Sequence, residues 1–345
     1  MDPLSQAALG ASLSQSLAGR KSSQLSALII GALAGMAPDL DILIRSATDP
    51  LLSISYHRHF THSLVFVPLG ALICSVVFYA FMSLSWFKRR WPDAHLSFLQ
   101  VYFFAFLGYL THGFLDANTS YGTLLLWPFS DARIAWNTIS IIDPLFTLPL
   151  VVLLILSAVR KKRIFARIGL FYVVISLSIG LVQNQRAEQA LLELAQQRGH
   201  EVERIHIKPS FGSRHLWKMI YEHDGRYYVD AVKLLTDKQY FEGESIEKLD
   251  LKRDLASLRL DSQYAKDIER FRWFSDDFLA IHPNNSEQVI DVRYSVLPNN
   301  INPLWGIQLN KEKLNNGDMK SHVDFVVSRE TSEKTRQMYF DMLFE

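Results

Sequence analysis

The sequence has very little cysteine and, in its first half, very little charge. Cys74 is the one cysteine among 345 residues, so no disulfide can form within the chain. Residues 1–183 contain no glutamate, 8 Asp and 13 Lys or Arg, whereas residues 184–345 contain 27 Asp or Glu and 23 Lys or Arg. This division excludes a single homogeneous globule and a disordered chain. Neither part has a large basic excess or a low apolar content, which excludes a nucleic-acid-binding domain.

The weakly charged part contains apolar runs long enough to cross a membrane. A spanning helix needs about 20 apolar residues. Four runs approach or exceed this length: 63–87, 97–115, 142–159 and 164–183. Two shorter runs, 24–38 and the small-residue-rich 4–19, are typical of closely packed membrane helices. We therefore predict a membrane domain over residues 1–183 with about six membrane helices, some of them short.

The second part, residues 184–345, has the composition and the patterns of a soluble α+β domain. An apolar/polar alternation predicts half-buried strands, and His223-Asp224-Gly225 predicts a hairpin turn between two of them. The predicted strands are 202–207, 216–221, 226–232 and 289–296, and the predicted helices are 186–198, 249–271 and 331–343. No motif in this part indicates catalysis. The sequence leaves open whether this domain covers the membrane site, binds substrate or recruits a protein partner.

Clusters of Lys and Arg predict the orientation in the membrane. Arg20-Lys21, Lys88-Arg89-Arg90 and the run Arg160–Arg163 are expected on the cytoplasmic side. This places the soluble domain outside the cytoplasm. The N-terminus lacks the basic start of a cleavable signal peptide, so the membrane helices themselves are expected to direct insertion.

With this topology, His and Asp residues from four separate segments lie at the outer ends of the predicted membrane helices. A single interfacial His or Asp is more often a helix cap or an ion-pair partner than a ligand. However, acidic groups at a helix C-terminus are disfavoured by the helix dipole, and a His and an Asp four residues apart share one helix face. The residues are Asp39, Asp41, His57, His59, His62, His112, Asp116 and Asp143. Together they predict a metal site.

Imidazole and carboxylate together suit Zn²⁺ first, or Mn²⁺ or Fe²⁺. The predicted ligands are Asp39, Asp41, His57, His62, His112 and Asp116. These are more than one tetrahedral ion can use, so a pair of ions clamping both oxygens of a phosphoester is an alternative to one ion. Arg58 is predicted either to hold a phosphate with its planar fork or to pair with Asp39 or Asp41. Asp143 is predicted to orient a ligand or a water molecule.

The motifs, in their order along the chain, resemble the bacterial membrane-bound metal-dependent hydrolases related to YdjM and YbcI. They are Pro38-Asp39-Leu40-Asp41, His57-Arg58-His59-Phe60-Thr61-His62-Ser63, His112 with Asp116, Tyr121-Gly122, Leu126–Ser130 and Ile142-Asp143-Pro144. The resemblance implies a multi-pass inner-membrane hydrolase with the six metal-site residues above. His59 occupies a position that is often Gly in similar sequences. Many similar sequences begin with a stretch of the form Asp-Pro-x-Thr-His, and this chain has Asp2-Pro3-Leu4-Ser5-Gln6 there, with Gln6 in place of His. Whether Asp2, Gln6 or His59 takes part in the site therefore stays open.

These observations predict a metal-dependent hydrolase that acts at the outer face of the inner membrane on a phosphoester of a lipid or another amphiphile. The segment between His112 and Asp143, with its turn at Asn118–Gly122 and its aromatic Trp127-Pro128-Phe129, is expected to face the substrate or to anchor the chain at the interface. The sequence lacks the Pro-Ser-Gly-His segment of metal-free membrane acid phosphatases. The other alternative, a non-enzymatic scaffold or an ion or lipid transporter with a structural metal site, stays open.

Overall fold

The apolar first half of the chain is mostly helical. A computed structural model of the protein describes residues 1–19, 23–94, 96–328 and 332–345. Arg20, Lys21 and Thr331, used in the predictions above, lie outside the described residues. The first half contains α1 (Pro3–Leu17), α2 (Gln24–Met36), α3 (Leu52–Tyr56), α4 (Val67–Ser83), α5 (Ser85–Arg90), α6 (Phe98–Ala117), α7 (Pro144–Arg160) and α8 (Ile164–Gln197). Short 3-10 turns cover Ala37–Leu43, Phe60–His62 and Pro92–Ala94.

Three to four of these helices are long and apolar enough to span a membrane, so the predicted number of about six is not confirmed. Three segments qualify directly: Gln24–Leu43, α6 and α8. A fourth is a pair of segments, Leu52–His62 and Val67–Ser83, that meet at 89°. The 17 residues of α7 rise only about 25 Å, less than a hydrocarbon core of roughly 30 Å.

The first predicted span, α1, is an interior helix. It has 15 residues, among them buried Ser and Gln side chains, and it packs on α2 and α6. The backbones approach closely because three glycines meet there: a Cβ on Gly10 or on Gly108 would overlap the carbonyl oxygen of Gly31. Such small-residue crossings are common between membrane helices. Polar side chains and short length explain why α1 does not qualify as a span.

The second half forms two antiparallel sheets of four strands each. The first contains β1 (Arg204–Pro209), β2 (Leu216–His223), β3 (Arg226–Leu234) and β4 (Lys238–Glu247), in that order. The second contains β5 (Leu279–His282), β6 (Asn285–Asp291), β7 (Trp305–Gln308) and β8 (Asp324–Val327), also in sequence order. The helices are α9 (Leu251–Asp254), α10 (Gln263–Phe274), α11 (Lys311–Asn315) and α12 (Glu333–Phe344). This half is therefore an α+β fold.

The predicted strands correspond to β1, β2, β3 and, in part, β6. The hairpin between β2 and β3 is confirmed: Asp224 and Gly225 have φ of 49° and 67°, as a tight hairpin turn requires. β4, β5, β7 and β8 were not predicted. The predicted helix 249–271 is instead two helices, because Asp250 and Ser262 each cap the start of a separate helix.

The chain divides into two compact units. One contains Met1–Leu43 and Tyr56–Val182, and the other contains Ile44–Ser55 and Gln183–Glu345. The segment Ile44–Ser55 lies in the sequence range predicted as membrane domain, yet it groups with the sheets. In the second unit, the face of the first sheet around Ile220 packs against Phe278 and Ile290.

Candidate metal centre

Four acidic and histidine side chains converge in the first unit. They are Asp39, His62, His112 and Asp116, and one ligand atom from each lies within 4.8 Å of all the others. The Nε2 atoms of His62 and His112 are 2.9 Å apart. Oδ2 of Asp116 lies 3.2 Å from Nε2 of His62, and Oδ1 of Asp39 lies 3.3 Å from Nε2 of His112.

These separations are close to those in the ligand shell of one tetrahedral ion. Metal–ligand distances near 2.0–2.2 Å place the ligands of a tetrahedral Zn²⁺ about 3.3–3.6 Å from one another. The pairs His112 with Asp39 at 3.3 Å, His62 with Asp39 at 3.5 Å and His112 with Asp116 at 3.6 Å lie in this range, whereas the two shortest separations are 2.9 and 3.2 Å. Two imidazole nitrogens and two carboxylates are a donor set that Zn²⁺, Mn²⁺ or Fe²⁺ accepts.

Both histidine rings of the group make hydrogen bonds at Nδ1. These bonds direct the Nε2 atoms of His62 and His112 toward the centre of the group as acceptors. Nδ1 of His112 is 2.6 Å from the carbonyl oxygen of Gly35, which can only accept, so the hydrogen of a neutral ring is on Nδ1. Nδ1 of His62 is 3.0 Å from Thr61 Oγ1 and 3.3 Å from Asp41 Oδ2. Since the Thr61 hydroxyl itself donates to Asp41 at 3.0 Å, Nδ1 of His62 is the donor in this network. Two lone pairs and two carboxylates thus face one another, an arrangement that a cation stabilises.

The local fold brings the four residues to one end of the spanning segments. Asp39 lies in the 3-10 turn that continues α2, and His62 lies in the turn Phe60–His62 that precedes α4. His112 and Asp116 are in the last two turns of α6, four residues apart on one face. Three of the four distant segments that the sequence predicted to meet do so through these four side chains.

Asp116 is surrounded by donors that offset its position at a helix C-terminus. Its Oδ2 lies 3.0 Å from Nε of Arg58, and its Oδ1 accepts from Nε2 of Gln6 at 2.9 Å. The amino group of Met1 also contacts Asp116. The ion-pair partner of Arg58 is therefore Asp116, rather than Asp39 or Asp41 as the sequence suggested. Arg58 further donates to Thr119 Oγ1 at 2.7 Å and is 2% exposed.

Asp41 and His57, both predicted as ligands, lie outside the group of four. Asp41 accepts from Nδ1 of His57 at 2.8 Å and from the backbone N–H of Arg58 at 2.9 Å, in addition to its contacts with Thr61 and His62. Its carboxylate is thus fully used in orienting the loop that carries His62. Such outer carboxylates fix the tautomer of a metal-binding histidine.

Three further residues of the predictions have local roles in the structure. Asp143 begins α7, where its side chain accepts from the backbone N–H of Phe146 at 2.9 Å. Asp2 caps α1 in the same way, through Ser5. Nδ1 of His59 accepts from the adjacent backbone N–H of Phe60. None of the three belongs to the group of four.

The group opens to the surface on the side of Asp39. The Asp39 side chain is 28% exposed, while those of His62, His112 and Asp116 are fully buried. His57 is 26% exposed, and its ring contacts Tyr121, which also lies under the guanidinium of Arg58. Exposed apolar side chains occur in the neighbouring segments: Leu40, Leu43 and Phe129.

Sequence patterns do not reveal the contacts that ordinary-looking residues make in the site. Gln6 is a poor metal ligand, yet it donates to Asp116. Thr61 and the carbonyl of Gly35 orient the two histidines. Thr61 stands directly before His62 within the motif, a signal for its role. Nothing in the sequence marks the carbonyl of Gly35.

The fold and this cluster define a multi-helix membrane protein with an Asp/His group of metal-binding type. A family model described as YdjM inner membrane protein matches residues 1–187, and the chain belongs to this family. The predicted resemblance and the inner-membrane location are thereby confirmed.

Two relatives illustrate the extent of the similarity. The chain is 28% identical over 206 residues to the uncharacterized protein YfhP of Bacillus subtilis (strain 168), covering 59% of this chain and 58% of that protein. It is 32% identical over 118 residues to the inner membrane protein YbcI of Escherichia coli (strain K12), covering 33% of this chain and 61% of that protein. The chain thus spans about three fifths of the length of both relatives. No solved structure matches it.

Proposed function

We propose that this protein is a metal-dependent hydrolase of the inner membrane that acts on a phosphoester of a lipid or another amphiphile at the outer face. The observation that carries the proposal is the convergence of Nε2 of His62 and Nε2 of His112 with two carboxylates, each ring held by a hydrogen bond at Nδ1. Side chains that merely capped helices would not need this orientation.

Asp39, His62, His112 and Asp116 are the residues that would hold the ion, and Zn²⁺ is our first choice because two nitrogens and two oxygens suit it. When bound, such an ion supplies Lewis acidity and lowers the pKa of water toward about 7. The four converging residues account for one ion. A second ion would need ligands from the neighbouring Asp41 and His57.

Three residues outside the group of four have separate roles. Arg58 holds Asp116 in place, so its charge is already paired within the protein. His57 lies at the exposed side, and Asp41 holds its Nδ1, which leaves Nε2 to hold or move a proton at the substrate. Asp143 caps the start of α7.

Location supports an amphiphilic substrate. The cluster lies at the ends of three spanning segments, where headgroups and acyl chains meet. Leu43 and Phe129 are 73% and 86% exposed, as side chains in contact with lipid would be. A phosphoester at headgroup depth could approach Asp39, the exposed member of the group.

Metal analysis combined with hydrolysis assays tests the proposal. The purified protein, His62→Ala, His112→Ala and the control His59→Ala should be compared for bound metal per chain and for release of phosphate or of a phosphorylated headgroup from phospholipid vesicles. We expect about one ion per chain in the wild type and in the control, and loss of both metal and hydrolysis in the other two. Bound metal without hydrolysis in any of the proteins would favour a scaffold or transporter with a structural ion.

A further inference from the structure

We infer that Arg270, in the second unit, is a positioning residue for the metal centre and acts through the segment Ile44–Ser55. The inference rests on the proposed metal site. It also assigns a task to the second half of the chain, which has no catalytic motif of its own.

The segment Ile44–Ser55 connects two parts of the site. It begins three residues after Asp41 and ends two residues before His57, and these two side chains bond to each other at 2.8 Å. Although both ends continue into the first unit, the segment itself packs as part of the second. Its Leu51 and Ile54 side chains are 0% and 7% exposed.

Arg270 holds this segment at two points. Its Nη1 and Nη2 donate to the two carboxylate oxygens of Asp49 at 2.9 and 3.0 Å, the two-bond geometry in which Arg–carboxylate pairs are strongest. Nη2 also donates to Ser55 Oγ at 3.1 Å. Arg270 therefore fixes the middle of the segment and the end that leads to His57.

The arginine is itself fixed within the second unit. It lies on α10, and its Nη1 is 3.3 Å from Asp267, a buried carboxylate. Asp267 in turn accepts from Nδ1 of His322 at 2.9 Å and from the backbone N–H of Val323 at 3.2 Å. A donor anchored in this way restrains a loop better than a mobile surface side chain.

Release of the segment is expected to reach the metal ligands through Asp41. The backbone around His57 and Arg58 is kept in place by Asp41, and Arg58 adopts an unfavourable φ of 64° there. If Ser55 and Asp49 lose their partner, this turn gains freedom and the carboxylate of Asp41 orients His62 less well. Outer contacts of this kind change metal affinity by about 10–100-fold, and an indirect one is expected to give about 3–10-fold.

A double-mutant cycle in the full-length protein tests the inference. Arg270→Ala, Asp49→Ala and the double variant should be titrated with Co²⁺ and followed by the visible absorption of the bound ion. Each single variant should weaken Co²⁺ binding about 3–10-fold with an altered spectrum, the double variant no more than either, and Arg270→Lys less than Arg270→Ala. Arg272→Ala is the control, because Arg272 is on the same helix and pairs with Glu269 and Asp277.

A second readout separates failure of this inference from failure of the proposed function. Unchanged Co²⁺ affinity and spectrum in Arg270→Ala would overturn the inference, even if the variant were less stable. A wild type that binds no Co²⁺ would contradict the metal site itself. In that case hydrogen exchange decides: residues 56–62 should exchange faster in Arg270→Ala than in Arg272→Ala, and equal exchange would overturn the positioning role.

Discussion

Nε of Arg58 lies 3.0 Å from Oδ2 of Asp116, and both side chains are almost completely buried. Asp116 belongs to the group of four converging ligands and also stands at the C-terminal end of α6, where the helix dipole disfavours an anion. The guanidinium of Arg58 offsets that charge. The same oxygen of Asp116 lies 3.2 Å from Nε2 of His62 and 3.6 Å from Nε2 of His112, so the ion pair links the turn at Arg58 to the metal centre.

Replacement of Arg58 should therefore weaken metal binding. Arg58→Ala leaves a buried carboxylate without its partner, and we expect metal affinity to fall about 10–100-fold. Arg58→Lys keeps the positive charge but loses the hydrogen bond to Thr119. Its metal affinity should therefore lie between those of the wild type and of Arg58→Ala. Titration with Co²⁺ in detergent measures both.

The same variants distinguish the two roles that the sequence left open for Arg58. If the guanidinium held a substrate phosphate, Arg58→Ala would raise KM for hydrolysis and leave Co²⁺ affinity unchanged. That pattern would contradict the role of Arg58 as the partner of Asp116.

Gly113 should be intolerant of even the smallest side chain. It follows His112 on α6, and a Cβ built on it would overlap the carbonyl oxygen of His62. Ala usually stabilises a helix by about 0.8–1.0 kcal/mol relative to Gly. Here, Gly113→Ala should instead displace the His62 turn and lower Co²⁺ affinity about 10-fold or more.

Gly169→Ala is the matched control for this prediction. Gly169 is also helical, and its nearest neighbour is the flexible end of the Leu150 side chain. It should bind Co²⁺ as the wild type does. Equal affinity in Gly113→Ala would mean that the His62 turn adapts freely and that the close approach has no role in the site.

The four converging residues could be predicted from their residue types and their spacing in the sequence. The pairing of His112 with Asp116 follows from helical spacing, and Asp39 and His62 follow from their places at the ends of apolar runs. The sequence could not separate ligands from outer carboxylates. Asp39 and Asp41 stand two residues apart in a 3-10 turn, and only their directions decide that Asp39 joins the group while Asp41 bonds to His57.

The fold was predictable where patterns are long. α6 and α8 were recognised because about 20 apolar residues have no alternative to spanning. β5, β7 and β8 have four residues each, too few for an alternation to stand out. The segment Ile44–Ser55 groups with the sheets, and its Asp49 contacts Arg270, 221 residues away; no local pattern marks such a contact.

The side of the membrane that carries the second half depends on whether α7 crosses. Lys88, Arg89 and Arg90 on α5 are expected to be cytoplasmic, which places the C-terminal end of α6 and the metal centre outside. If α7 crosses despite its 17 residues, Arg160–Arg163 are also cytoplasmic and α8 leads outward. If α7 does not cross, these cations lie outside the cytoplasm, against the tendency of Lys and Arg to lie on the cytoplasmic side, and α8 leads inward.

We therefore expect an extracytoplasmic second half, which cysteine labelling can test. Cys74 is the one native cysteine, so in a Cys74→Ser background any maleimide labelling comes from the single cysteine that is introduced. Lys334→Cys on α12 should react with an impermeant maleimide in intact spheroplasts. Arg89→Cys on α5 should react only after permeabilisation. The reverse pattern at Lys334→Cys would show that α7 does not cross.

Lys208 is a buried cation in the first sheet of the second unit. Lys208 on β1 is directly opposite Lys218 on β2, and its ammonium lies 3.9 Å from the centre of the Tyr294 ring. Burial lowers the pKa of Lys208 from its ordinary 10.5 to about 7, Asp291 acts in the opposite direction, and Arg293 lowers it further. The unfolded chain therefore binds this proton below about pH 10.5 and the folded chain only below about pH 7.

Because the unfolded state holds more protons between these two values, the free energy of unfolding should rise as the pH increases from 7 to 10. Lys208→Met removes this term and keeps an apolar stem against Tyr294. It should raise the free energy of unfolding at pH 7 by about 1–3 kcal/mol and reduce its increase toward pH 10. Urea unfolding of the full-length chain in detergent at both pH values measures this, with Lys266→Met, an exposed position on α10, as the control. A Lys208→Met protein that is less stable than the wild type at pH 7 would show that the ammonium contributes more through Tyr294 than its burial costs.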